Sequence, residues 1–233
     1  MSYLYSYLIG DLTLLIVWFI LFYFRKNVRK EMLIISLLIG IGGLFAETIY
    51  TIDWWQPLTI TGTLIGIEDF LFGFAIGGIG SSIYEVIFKK KIRIKNVNQK
   101  KRFNQNKNIL LFGASIVVLL FITFFLMNLN SFYSSIISLG FPIIYMNIKR
   151  KDLMLDSVLS GFLLMLTSFL AFITVELITP GWINSAWFLE NLSGIIILTA
   201  PLEDLIWFFL MGMFIGPLYE FWKEGKIQNL KKE

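Results

Sequence analysis

Apolar residues gather along the chain in seven long runs, at roughly 3–24, 32–52, 63–88, 108–128, 132–148, 153–178 and 195–222, separated by polar or basic segments. Each run approaches the ~20 residues that carry a helix across a bilayer. Helix is the form that satisfies the backbone of such a run in lipid without a partner strand. The pattern predicts an all-α integral membrane protein with seven transmembrane helices. The fifth run, "FYSSIISLGFPIIYMNI", is short and carries Pro142, where a kink is expected. The first run is long, lacks a basic segment before it and ends in "RKNVRK", so it reads as a true span rather than a cleavable signal.

Charge gives the spans a direction. Arg25, Lys26, Arg29 and Lys30 follow span 1, and "KKKIRIKNVNQKKRFNQNK" follows span 3 with no acid in it. Lys149, Arg150 and Lys151 follow span 5, and Lys223, Lys226, Lys231 and Lys232 follow span 7. These segments contain all 20 basic residues, and seven spans put every one of them on the same side. The positive-inside rule makes that side cytoplasmic. The expectation is a multi-pass protein of the cell membrane, N-terminus outside and C-terminus in the cytoplasm. The basic loops read as topology signals lying against anionic lipid, and no nucleic-acid partner is expected.

The chain also repeats. "IEDFLFGFAIGGIGSSIYEVIF" (67–88) aligns with "LEDLIWFFLMGMFIGPLYEFWK" (202–223) at a constant offset of 135. Glu68-Asp69 then match Glu203-Asp204, Gly77 matches Gly212, and Tyr84-Glu85 match Tyr219-Glu220. Upstream, "FAETIYTIDWW" is similar to "ITVELITPGW" and pairs Glu47 with Glu176. The organisation predicted is 3+1+3: residues 1–90 a first three-helix repeat, 91–130 a basic loop and linking helix 4, and 131–233 a second three-helix repeat. A fourth helix between them lets both copies run in one direction, a parallel repeat about an axis along the membrane normal.

Composition narrows the chemistry. The chain is 57% hydrophobic and 15% charged, with mean hydropathy +0.74 and neither Cys nor His. Disulfides, thiol nucleophiles, imidazole shuttles and Cys or His metal sites are excluded. No metal is expected. The glycines of "GGIG" sit inside a span, where close helix packing explains them better than a nucleotide fingerprint.

What remains are carboxyls: Asp11, Glu47, Glu68, Asp69, Glu176, Glu203 and Asp204 all fall within or beside apolar runs that contain no Lys or Arg. An ionisable group there costs about 2.5–3.5 kcal/mol on insertion scales. Such groups must be neutral, hydrogen-bonded or facing a polar cavity. With span 7 starting near Gly194, Glu203 and Asp204 lie two or three turns deep. Glu68 lies nearer the outer end of span 3, and Glu47 and Glu176 close to the outer ends of spans 2 and 6. Glu85 and Glu220 lie 17 residues further on, roughly 25 Å away, and read as interfacial. Trp54, Trp55, Trp182 and Trp187 fall in an outer aromatic belt, with Trp207 and Phe208 a turn deeper beside the acids. Acids without bases, set among ring faces that stabilise cations, suit protonation of a hydrocarbon followed by proton removal.

At these residues the chain resembles the membrane-type lycopene cyclase family. Its hallmark is a duplicated three-helix domain with a Pro-x-Glu-(Glu/Asp) motif after a Trp-rich outer loop. Pro201-Leu202-Glu203-Asp204 match it, as does "PGWINSAWF" before them. In the first half Glu68-Asp69 match, with Gly66 in the place of proline. The resemblance implies a carotenoid cyclase acting on lycopene or another acyclic carotenoid, forming β-ionone rings without a redox cofactor. It implies Glu203 as principal acid, Asp204 tuning it, Glu68 and Asp69 as the counterpart base, and Glu47 and Glu176 as supporting partners. Trp54, Trp55, Phe72, Trp182, Trp187, Pro201, Trp207 and Phe208 would line the substrate. A 3+1+3 transporter and a non-catalytic carotenoid- or isoprenoid-binding protein are the alternatives. A retinal protein is set aside, because spans 6 and 7 have no lysine for a Schiff base.

Overall fold

The computed structural model describes residues 3–94 and 97–230. Seven helices are long and apolar enough to cross a membrane, in line with a multi-pass membrane protein. They are α1 (Ser6–Phe24), α2 (Arg29–Asp53), α3 (Ile67–Ile87), α4 (Gln99–Phe121, prolonged by a π turn to Leu126), α5 (Ser131–Lys149), α6 (Met154–Ile178) and the pair α8 (Leu202–Ile215) and α9 (Leu218–Lys223). A short helix α7 (Trp182–Ala186) lies in the loop after α6. Helix α5 runs through Pro142 without interruption.

Three helix starts differ from the sequence expectation. α3 begins at Ile67, α4 at Gln99 and α8 at Leu202. The shift that bears on the motif acids is the last. Residues 195–201 fold as a hairpin, strand β2 (Ile196–Ile197) against β3 (Ala200–Pro201), with Leu202 N donating to Ile195 O. Hydropathy counts "GIIILTAP" as membrane, but Pro201 has no N–H to give a preceding turn and is at home as the residue that opens α8. Glu203 and Asp204 therefore occupy the first turn of α8, not its third.

The described ends of the molecule differ in character. At the basic end, strand β1 (Lys90–Arg93) pairs antiparallel with β4 (Lys226–Asn229), so the segment after α3 and the C-terminal segment lie on one side. At the opposite, aromatic end, the loops after α2 and α6 knit together. Phe188 N donates to Trp54 O at 2.9 Å and Gln56 N to Ala186 O at 2.6 Å.

Glycine lets two helix pairs approach closely. A Cβ on Gly73 of α3 would lie 2.7 Å from Ile39 O of α2, and one on Gly212 of α8 would lie 2.5 Å from Ser160 O of α6. Backbone meets backbone in both places, the usual means of association where lipid removes the hydrophobic drive. The break between α8 and α9 has its own cause. Pro217 cannot donate to Met213 O, and the Ser157 hydroxyl of α6 donates to that carbonyl instead, at 2.7 Å.

Gly212→Ala should therefore force α6 and α8 apart and cost about 1–3 kcal/mol. Gly140→Ala, with open space around it, should leave stability unchanged. Thermal unfolding of the two variants in detergent checks this; equal midpoints would mean that the α6–α8 approach is not needed for stability.

Candidate active site

Adjacent residues of a helix point about 100° apart, so one motif can serve two directions. In α8, Glu203 turns to the outer loop and its Oε1 accepts Ser193 N–H at 2.7 Å. In α3, Glu68 does the same, its Oε1 accepting Ile60 N–H at 2.6 Å. Both are buried, and neither lines the cavity below them.

Their neighbours do line it. Asp204 Oδ2 accepts two indole N–H groups, from Trp187 at 2.8 Å and Trp54 at 3.4 Å, one from each knitted loop. Asp69 Oδ1 accepts the Tyr7 hydroxyl at 2.9 Å, and its Oδ2 accepts Gly66 N–H at 2.7 Å. The last bond accounts for Gly66 in the first motif. Proline there would have no hydrogen to give, and a Cβ would strike Thr59 and the Glu68 carboxyl.

The cavity has a volume of about 730 Å3, within the range of sites for small apolar ligands. Asp11, Glu47, Asp69 and Asp204 border it, with no Lys or Arg. Asp11 is 1% exposed, and among the described residues neither of its oxygens has a partner; Glu47 Oε1 is likewise unpartnered there. Glu176 is placed elsewhere: its Oε1 accepts Gly181 N–H at 2.8 Å, and it stays outside the cavity. The repeat partners Glu47 and Glu176 thus have different surroundings.

Rings supply most of the wall. Phe72 stacks on Trp207 with centroids 5.9 Å apart and meets Phe208 edge-on at 5.8 Å. Trp55 packs on Trp187 at 5.1 Å and edge-on to Tyr7 at 4.8 Å, and Trp182 meets Trp187 edge-on at 4.9 Å. Trp54, Trp182 and Trp187 are buried, so they do not form the outward belt expected from the sequence. The loops fold back over the helix ends and turn their rings inward. Pro201 opens α8 and is buried outside the cavity wall.

Tyr7 and Tyr50 were missed by sequence reasoning. Tyr50 Oη accepts the Ser135 hydroxyl at 3.0 Å and the Trp207 indole at 3.4 Å. A signal for Tyr7 existed: it stands four residues before Asp11, on the same helix face. Away from the acids the cavity continues between α2 and α4, past Phe45 and Val117, which are exposed where lipid would be.

A family model described as lycopene cyclase matches residues 4–87 and 130–222. The chain belongs to the lycopene cyclase family. It is therefore an enzyme of the intramolecular lyase class, and the family implies a carotenoid substrate. The match covers α1–α3 and α5–α9 and leaves out α4. No curated protein and no solved structure matches the chain.

Trp187→Phe keeps a ring and removes the shorter donor to Asp204. A hydrogen bond to a carboxyl is worth about 1–3 kcal/mol, so cyclisation should fall roughly five- to a hundredfold. Trp182→Phe is the control, since the Trp182 indole N–H is buried without a partner among the described residues. Pigment analysis in a lycopene-producing host compares them, and equal activity would show that Asp204 does not depend on its indole donor.

Proposed function

We propose that this cyclase forms β-ionone rings from the acyclic ends of lycopene or a related carotenoid by a redox-neutral, acid-initiated reaction. The observation that carries the reading is Asp204 and Asp69, from two different motifs, bordering one cation-free cavity walled by aromatic rings. One carboxyl in its acid form gives a proton to carbon 2 of the acyclic end. The cation at carbon 1 is attacked by the 5,6 double bond, forming the carbon 1–carbon 6 bond. A carboxylate then takes the proton from carbon 6. Substrate and product are isomers, so no electrons are required. Phe72, Trp207 and Phe208 present π faces to the intermediate cation. The lateral opening between α2 and α4 lets one chain end enter while the rest of the polyene stays in lipid.

In this reading Asp204 and Asp69 meet the substrate, and Glu47 and Asp11 support them from the wall. Glu203 and Glu68 act as positioning residues that hold the outer loops, in place of the leading roles that the motif alone suggests. The reading also keeps the 3+1+3 arrangement. The two matched stretches each contain three spans, the α2–α3 contact has its counterpart in α6–α8, and the α1–α3 contact in α5–α8.

Asp204→Asn should lower turnover by orders of magnitude with the amount of folded protein unchanged. Glu203→Gln, which keeps the shape, should cost much less and show mainly as a lower unfolding midpoint. In heavy water the wild-type enzyme should add one deuterium at carbon 2 for each ring formed, without added reductant. A dead Glu203→Gln enzyme of normal stability beside an active Asp204→Asn enzyme would return the acid role to Glu203. Rings without deuterium, in an enzyme whose acid exchanges with solvent, would exclude carboxyl initiation. Transport or binding alone predicts no carbon-bound label.

We also place the basic end in the cytoplasm, on the distribution of the 20 Lys and Arg residues. The chain has no cysteine, so Asn104→Cys gives a single label site. An impermeant thiol reagent should reach it only after the membrane is opened; labelling of intact cells would invert the orientation.

A further inference from the structure

The basic end holds a second group of acids, none of which lines the cavity. Glu85 lies in the last turn of α3, Asp156 in the first turn of α6 and Glu220 on α9. One carboxylate oxygen from each lies within 4.8 Å of the others. Glu31, in the first turn of α2, is within electrostatic reach of all three. These acids were expected at the interface or had gone unnoticed. All four are instead buried: Glu85 and Glu220 are 0% exposed, Asp156 1% and Glu31 3%.

Their oxygens lack donors. Both oxygens of Glu85, both of Glu220, Asp156 Oδ2 and Glu31 Oε1 have no hydrogen-bond partner among the described residues. Asp156 Oδ1 takes the Ser160 hydroxyl at 2.9 Å. The nearest cations are spent on other atoms. Arg25 Nη2 donates to Glu85 O at 3.2 Å and Lys90 O at 3.0 Å. Arg150 donates to Gly225 O at 2.7 Å and pairs with Asp152. No described ion pair includes any of the four acids.

Something of positive charge is needed at the centre, because carboxylates this close repel strongly in a dry setting. Glu85 and Glu220 are close enough to share one proton. A shared proton bridges two oxygens and leaves the other four unmet. A cation takes one oxygen from each of Glu85, Asp156 and Glu220 at once. We infer that Glu85, Asp156 and Glu220, with the buried Glu31 carboxyl nearby, form a site for one hard divalent cation of the Mg2+, Ca2+ and Mn2+ class. The donors are all oxygen, which suits these ions rather than zinc or copper. Because the three ligands come from α3, α6 and α9, the ion clamps three helices at the basic end, and its binding is linked to stability.

Mn2+ is the probe. Wild-type protein, purified in detergent and stripped with EDTA, should bind about one Mn2+ per chain in an EPR titration. Mg2+ or Ca2+ should compete for it. The thermal midpoint should rise with Mn2+ and fall again with EDTA. Glu220→Gln and Asp156→Asn should each weaken Mn2+ binding at least tenfold, while Glu190→Gln, an exposed acid at the aromatic end, should not. The wild-type titration decides the matter even where a variant does not fold. No Mn2+ bound and a midpoint indifferent to cations would overturn the site in favour of shared protons. Binding that survives both substitutions would put the ion elsewhere and overturn it equally.

Discussion

The constraint behind this structure is that carboxyls sit inside the bundle without a basic partner. A Lys or Arg beside them would neutralise them at once, but none borders the cavity. The motif acids find neutral donors instead, and the local architecture follows from which donors each finds. Glu68 and Glu203 take backbone N–H groups and thereby fix loops. Asp69 takes a phenol and a glycine N–H, and Asp204 takes two indoles. The tryptophans are drawn off the membrane surface and over the cavity by these bonds, which is how a pair of acids comes to be roofed by rings.

Adjacency then divides the labour. Two carboxylates in one helical turn cannot point the same way, so the first closes the loop that carries the rings and the second faces the space they enclose. The helix N-terminus favours both, since its unpaired N–H groups and dipole attract negative charge. This makes a first-turn position the least costly place for an acid in a membrane helix, and it explains why the motif opens a helix in both halves.

The sequence displayed the seven spans, the duplicated acids and the one-sided basic segments, because each is written in composition and spacing. It hid what depends on chain reversal. Residues 195–201 are as apolar as a span and fold as a hairpin, so Glu203 and Asp204 came out too deep by more than a turn. Trp54 and Trp187 have belt-like positions in the chain, and only the pairing of the two loops turns them inward. Glu31 and Asp156 carried no signal in the sequence and went unremarked. Their meeting with Glu85 and Glu220 is a long-range event that no local pattern records.

The same two helical segments thus carry acids at both ends. Glu68 to Glu85 and Glu203 to Glu220 are equal intervals of 17 residues, which would span roughly 25 Å as continuous helix. In the first the helix is unbroken, whereas in the second Gly216 and Pro217 interrupt it. An interruption would ordinarily lose register, because the carbonyl of Met213 is left without its donor. Ser157 replaces that donor from α6, immediately beside Asp156. The bond that repairs the break thus comes from the residue next to one of the acids that Glu220 must meet. Helix repair and carboxylate convergence are one packing event, and substitutions at Ser157 act on both.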